Sequence, residues 1–489
     1  MTHSSLRGLV ILASTAIAQV ATAQSTPCTL IPRPSTSLFA DSTAAAGKVI
    51  FLGGGVLFKC PGRGITLRGD SAERYADHDQ MIGHAVYDEP RLHVASNFLN
   101  YFPTTEIVRA IGDVHATLPS GSTLVGPIAE WRRVAKGIRP RQQLLATSRP
   151  TINIVEKDSS GKTTPMSVMA NQVFMDGDSL IYAGGQVIIT RPEIGATADS
   201  AFIDQTRETM RLMRSPVLKG KKEKPFTLSG DLIDLFSQDR KLQRVVARAN
   251  ALALTDSMTL TADTIDLRVR NDVLDHAYAW GSKDRARVVS AAQNVLADSL
   301  DVIMPGQKIQ LVRAVRNAFA QGKLDTTRFR VEGADSTNWL RGDTIIAHFD
   351  SLGPKDTSKT PPIKLLVASG HSSALYHVAA SDTAEKRPAI HYVNAATILI
   401  DFDNKQQVST VTAVDSIHGM YLDPQPDTAA KRVKSTRAPG KSATGSGEPA
   451  APARPPAKPP AKPPAKPPAR PPAKPAALPP ATLQRLERL

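Results

Sequence analysis

Cysteine is nearly absent from this chain of 489 residues, occurring only as Cys28 and Cys60. That excludes a disulfide-rich mini-scaffold and a cysteine-based zinc or iron–sulfur site, because neither cysteine has a second ligand in a recognised spacing. One pairing remains open: in an oxidising compartment, Cys28 and Cys60 would staple the N-terminal arm to the first strands. Aromatics are sparse, at 5%. No later run approaches the roughly 20 apolar residues that a membrane-spanning helix needs. Catalytic signatures are missing as well: there is no HExxH spacing, Walker loop or GxSxG elbow. His78, His84, His93 and His115 lie singly in or beside expected strands, and Asp77-His78-Asp79 reads as a solvated turn. The reading is a protein that is not an enzyme and has no cofactor or metal.

Excess charge is missing from most of the chain. The formal charge is +15, but from Lys431 to Leu489 there are 13 Lys/Arg against Glu448 and Glu487, so +11 sits in the last 59 residues. With Arg7 set aside, about +3 remains for nearly 400 residues, too little for a nucleic-acid-binding face. Sixteen of the 37 prolines also fall in this tail. Its Ala-Lys-Pro-Pro repeats favour an extended, disordered polyproline segment that packs no core. Such a tail is a solubilising spacer or a cationic tether to anionic cell wall or membrane surface.

The N-terminus reads as an export signal over residues 1–23, with Arg7, an apolar stretch Gly8 to Ala18, and Ala21-Thr22-Ala23 before the cut. Residues 24–47 form an arm, 48–422 a body, and 423–489 the tail.

The body repeats. A small residue, Asp, one free position and an apolar residue recur as Gly69-Asp70-Ser71-Ala72, Ala198-Asp199-Ser200-Ala201, Gly230-Asp231-Leu232-Ile233, Ala262-Asp263-Thr264-Ile265, Ala297-Asp298-Ser299-Leu300 and Gly342-Asp343-Thr344-Ile345. Weaker copies fall at Ala95, Gly126, Ala170 and Ala395, giving ten units. The recurring Asp is expected to cap a turn where the chain enters each strand. Each unit supplies two strands of period two. The fold expected is all-β: two facing sheets, an elongated open jelly roll or folded-over sheet growing by one layer per unit. A parallel β-helix is the rival. Gly53-Gly54-Gly55 reads as a hairpin between Val49 to Leu52 and Val56 to Lys59. Insertions at Lys157 to Thr164, Gly353 to Pro362 and Ala380 to Pro388 read as loops.

Alternation places Ala201, Ile203, Ile233, Leu235, Ile265, Leu267, Val269, Leu300, Val302 and Met304 on the inward faces. Ile345, Ala347, Phe349, Ile398, Ile400 and Phe402 follow the same pattern. Val245, Ala247, Ala249, Ala251 and Ala253 make one face almost wholly of small side chains. Successive small inward positions imply a slot between the sheets that suits alkyl chains, each CH₂ contributing about 0.8 kcal/mol on leaving water.

Gly-Asp-Ser-Ala-Glu-Arg-Tyr at Gly69 to Tyr75, Asp79 to Val86, and Ile111-Gly112-Asp113-Val114 resemble the OstA-like lipopolysaccharide-transport family (LptA, LptC and the N-terminal domain of LptD). The resemblance extends over Val49 to Leu422, divisible into modules 48–215 and 216–422. It implies an open-sided β-jelly roll in the periplasm of a diderm cell, associated with the outer membrane. It further implies binding of lipopolysaccharide or a similar lipid by its acyl chains, and end-to-end pairing through edge strands with Lpt-type relatives or a second copy. An exported carbohydrate-active β-helix enzyme and a structural envelope or adhesion repeat are the alternatives. More units, the insertions and the basic tail depart from the family pattern.

Overall fold

The computed structural model describes residues 29–424 apart from 32–35, 42–48, 61, 222–225, 256–257, 271–272, 282–283, 291–292, 325–336, 351–360, 379, 381–386 and 404–407. The segment read as an export signal, Cys28, most of the insertions at 353–362 and 380–388, and the chain from residue 425 lie outside the described residues.

The described chain is all-β, and the short turn of 3₁₀ helix at Pro305–Gln307 is its one helical element. Its strand pairings are antiparallel, as in Arg244 to Arg248 against Thr264 to Arg268 and Leu311 to Val315 against Thr344 to His348. That removes the parallel β-helix, because stacked parallel rungs are what define such a fold.

The long strands are bent in the middle. In Leu180–Thr190, Leu180 to Gly184 pair with Ser200 to Asp204, and Val187 to Thr190 pair with Gly195 to Ala198. Between them Gly185 and Gln186 stand opposite Asp199 alone, a two-against-one bulge. Both bulged residues have positive φ, 77° and 51°. The same left-handed pair recurs at Gly83-His84, Gly112-Asp113, Ala249-Asn250, Arg316-Asn317 and Gly370-His371. At each one the chain turns from one leaf of the sheet into the other, so the sheet is folded along a crease.

The recurring Asp lies on this crease: Asp199, Asp263 and Asp343 fall inside strands that run through it, and Asp70, Asp231 and Asp298 fall just before a strand, between two strands of different leaves. Backbone N–H groups of Asp70, Asp231 and Asp298 donate to the carbonyls of Gly83, Ala249 and Arg316 at 2.9, 2.9 and 3.1 Å. The carboxylates take the side chain of the second bulged residue: His84 Nδ1 lies 2.7 Å from Asp70 Oδ2, and Asn250 Nδ2 donates to Asp231 Oδ2 at 3.2 Å. A Cβ on Gly83 would stand 2.5 Å from Asp70 Oδ2, so a side chain there would displace that carboxylate. Gly54 and Gly55, with φ 78° and 87°, are also a crease and not a hairpin: Val49–Gly53 pairs with Ser37–Asp41 and Ser71–Arg74, whereas Val56–Cys60 pairs with Thr29–Leu30 and Ile65–Gly69.

Each repeat unit lays two strands in each leaf. Between Asp231 and Asp263, Leu232–Gln238 and Lys241 to Arg248 lie in one leaf, and Ala251 to Leu254 and Met258 to Ala262 in the other. A unit therefore advances two strand spacings, about 9.6 Å, and not the single layer expected from sequence. Both leaves contribute to one continuous apolar core, as with Leu52 and Ala72 from one and Val56 and Phe58 from the other.

Beside the crease the inward row alternates small and large. Ala247, Ile265, Ala279, Leu300, Ala314, Ile345, Ala368, Ile398 and Ala413 stand opposite one another in successive strands. The facing leaf offers Ala251 opposite Ala262 and Ala286 opposite Ala297. Walls that converge at a fold leave little room, and setting a small side chain against each large one fills the gap without voids.

Candidate functional site

The space between the leaves is the site that the repeats build. Ala201, Ile203, Ile233, Leu235, Ala247, Ala251, Ile265, Leu267, Leu300, Val302, Met304, Ile345, Ala347, Ile398 and Ile400 are all buried in it. Val269, Phe349 and Phe402 are half-buried. Ala249 is exposed, contrary to the sequence reading, because it is the first residue of a crease bulge with φ 56°. The two-residue bulge keeps parity on both sides, so Ala247 and Ala251 both face inward while Ala249 turns out.

The small inward residues do not frame an open slot. Ala247, Ala286, Ala297 and Ala368 have no exposed surface. A void walled by Leu92, Val94, Val108, Ala110, Trp131 and Leu144 amounts to about 10 Å³, the space of one water at most.

Access varies along the body. Before residue 250 inward positions away from the crease, such as Tyr87, Tyr101, Val108 and Leu124, are 0–1% exposed. Beyond it Leu260, Val288, Val295, Val312, Leu366 and Val411 are only partly buried, whereas Leu267, Val302, Leu340, Val393 and Ile400 in the same rows stay buried.

Opposite the crease the free margins of the two leaves meet at a mouth. Among the described residues, two ion-pair networks bridge it. In the first, Arg63, in the turn after Val56–Cys60 of one leaf, places Nη1 2.8 Å from Glu106 Oε1 of the other and donates to Tyr101 Oη at 2.8 Å. Arg133 returns the connection, with Nη1 2.8 Å from Glu106 Oε2 and Nε 2.9 Å from Glu89 Oε2. Arg139 fixes this margin by donating to the carbonyls of Arg133 and Thr105, both at 2.8 Å. In the second network Glu156 of one leaf lies 3.6 Å from Arg240 of the other and 3.5 Å from Arg191 beside it. Arg191 Nη2 donates to the Arg240 carbonyl at 2.8 Å, and Ser159 N–H and Oγ–H donate to Asp239 at 2.6 and 2.9 Å.

Burial sets the direction of titration at four of these side chains. It pushes the carboxyls of Glu89 and Glu156 above the usual range, against the pull of Arg133 on the first and of Arg191 and Arg240 on the second. Burial also raises the phenols of Tyr87 and Tyr101.

Sequence reasoning missed both networks. Their only signal is that Glu89, Glu106, Arg133, Glu156, Arg191 and Arg240 sit at strand ends, where charge reads as an ordinary turn. His78 is stacked between Tyr75 and Phe102 at ring distances of 4.5 and 4.9 Å, with Asp77 2.8 Å away. That hydrogen bond holds the Asp77 carboxyl below its usual range. Among the described residues no group of three His, Cys, Asp or Glu side chains is placed to hold a metal ion. Cys60 is buried and disulfide-bonded, and the chain's other cysteine, Cys28, lies outside the described residues.

No protein-family model matches this chain, and no curated protein matches it.

Proposed function

We propose that the protein binds and conveys an amphiphile, lipopolysaccharide or a related lipid, in the periplasm, taking its acyl chains between the two leaves without catalysis. The observation that carries this is the continuous two-walled aliphatic interior, in which some inward side chains beyond residue 250, such as Leu260 and Val295, are only partly buried. Each wall's backbone polar groups are engaged within its own ladder, so the interior offers little to a peptide strand and suits a chain that needs no hydrogen bonds. Membership of the OstA-like family is part of the same reading, supported by a repeat phrase whose Asp lies on the crease, as at Asp70, Asp231 and Asp298. Edge strands at the ends of the leaves would join Lpt-type relatives or a second copy, and the basic tail would hold the assembly near the anionic wall or the outer membrane.

A photo-crosslinker at Leu260 or Val295, inside the partly accessible stretch, should capture lipid in cells. One at Asp301, which faces away from the core and pairs with Arg313 at 3.2 Å, should not. Mass spectrometry of the gently extracted protein would identify the amphiphile. Equal capture from both faces, or extraction without any lipid, would overturn the reading.

A further inference from the structure

We propose that the two ion-pair networks across the mouth are lateral gates, which part as the leaves pivot about the crease and admit cargo sideways into the N-terminal half. What opening is for rests on the alkyl-chain reading above; the opening itself does not.

Three observations converge. The networks join margins that no hairpin connects: Arg63, Glu89, Glu156 and Arg191 belong to one leaf, Glu106, Arg133 and Arg240 to the other. The crease is where the ladder is interrupted, with two residues against one at each bulge, so it is the line along which the sheet bends most easily. The seal itself is ionic. Separated apolar surfaces gain nothing from water, whereas a separated carboxylate and guanidinium are each rehydrated, which offsets much of the lost attraction. Glu156 shows how evenly this is balanced: its Oε2 is buried without a hydrogen bond and depends on nearby guanidinium charge alone.

The first gate turns on Glu106, whose two oxygens hold Arg63 and Arg133 at once. Neutralising it leaves two guanidinium groups side by side at a half-buried margin with Glu89 as the remaining carboxylate, and water becomes their better partner. In the full chain, spin labels at Arg91→Cys and Thr104→Cys, on exposed turns at opposite ends of the strand Leu92–Phe102, report the width of the mouth. The Glu106→Gln variant should lengthen and broaden their distance distribution by several ångströms while the far-ultraviolet circular dichroism stays that of the parent. An unchanged distribution in the folded variant overturns the gate. Should Glu106→Gln not fold, Glu106→Asp, whose shorter side chain cannot span both arginines, carries the same expectation and the same overturning result. Lipid captured at Val94 separates this from the reading it builds on: opening with increased capture supports both, whereas opening without capture supports the gate and counts against lipid as the cargo.

Discussion

The backbone N–H of Asp231 donates to the carbonyl of Ala249 at 2.9 Å, tying a repeat phrase to the left-handed pair that folds the next strand over. Ala249 is held at φ 56° in that contact. A Cβ in the left-handed region costs about 1–2 kcal/mol, and the added freedom of the unfolded glycine takes back about 0.4–1 kcal/mol, so Ala249→Gly should stabilise the body by up to about 1 kcal/mol. Urea unfolding of parent and variant measures this. A midpoint that falls would show that the side chain makes a contact worth more than the strain.

Ala314 and Ala368 test whether the crease is packed. Each is almost wholly buried beside large neighbours, Ala314 next to Leu300 and Ile345, Ala368 next to Ile345 and Ile398. Substitution by Leu should cost about 1–3 kcal/mol through overpacking. A neutral or stabilising result from denaturant titration would reveal spare room between the leaves.

Much of the fold was legible in the sequence, and the crease was written there in a form that period-two reading misplaces. In the phrase Ala262-Asp263-Thr264-Ile265 the two inward residues are three apart, a break in alternation that marks the bend. Taken as the start of a strand, the break vanishes. Its partner strand hides the bend differently, because Ala247 and Ala251 are four apart and alternation runs straight through the exposed Ala249. Pattern therefore puts the positions on either side on the buried face, where they lie, and puts Ala249 there too, although at the bulge it is exposed. The mouth was illegible for another reason. Which strand end meets which depends on the leaf each half-strand joins, and Arg133 reaches Glu89 only after the chain has folded through the creases between them.

Glu156 gives the second gate a pH dependence of definite sign. Its carboxyl is raised above the usual range by burial, opposed by Arg191 and Arg240 and reinforced by Glu208 and Glu193. A group whose folded pKa exceeds its unfolded value contributes stability that is fully present below the unfolded pKa and is lost as pH rises through the folded one. Stability of the parent should therefore fall relative to Glu156→Gln as pH climbs from the ordinary glutamate range toward neutrality. The same linkage favours the closed mouth in acid and the open mouth at higher pH, because opening returns the carboxyl to water. Chemical denaturation across that window checks the first statement, and hydrogen exchange at Thr151–Lys157 checks the second. A difference between parent and variant that does not change with pH would mean that Glu156 titrates as an exposed residue.

The ends of the leaves are where a partner would bind. Among the described residues Val408–Val414 and His418–Leu422 each pair on one side only, both with Ala389–Phe402. At the other end Ser37–Asp41 pairs with Val49–Gly53 alone. These edges carry exposed apolar side chains, Leu38 and Phe39 at 65% and Met420 and Leu422 at 57% and 53%. Leu399 lies one strand further in, opposite both Val367 and Thr412, so proline there would break an internal ladder and would not test the edge. Met420→Lys together with Val414→Lys leaves the ladder intact and should change stability by no more than about 0.5 kcal/mol, since the two side chains are 57% and 41% exposed. Charge on an edge strand opposes sheet-to-sheet addition. Sedimentation should therefore show parent molecules associating with one another as concentration rises, and the double variant associating about tenfold more weakly, a change of about 1.4 kcal/mol. Association of equal strength in parent and variant would place the contact elsewhere on the molecule, and a parent that stays monomeric throughout would rule out a second copy as the strand's partner.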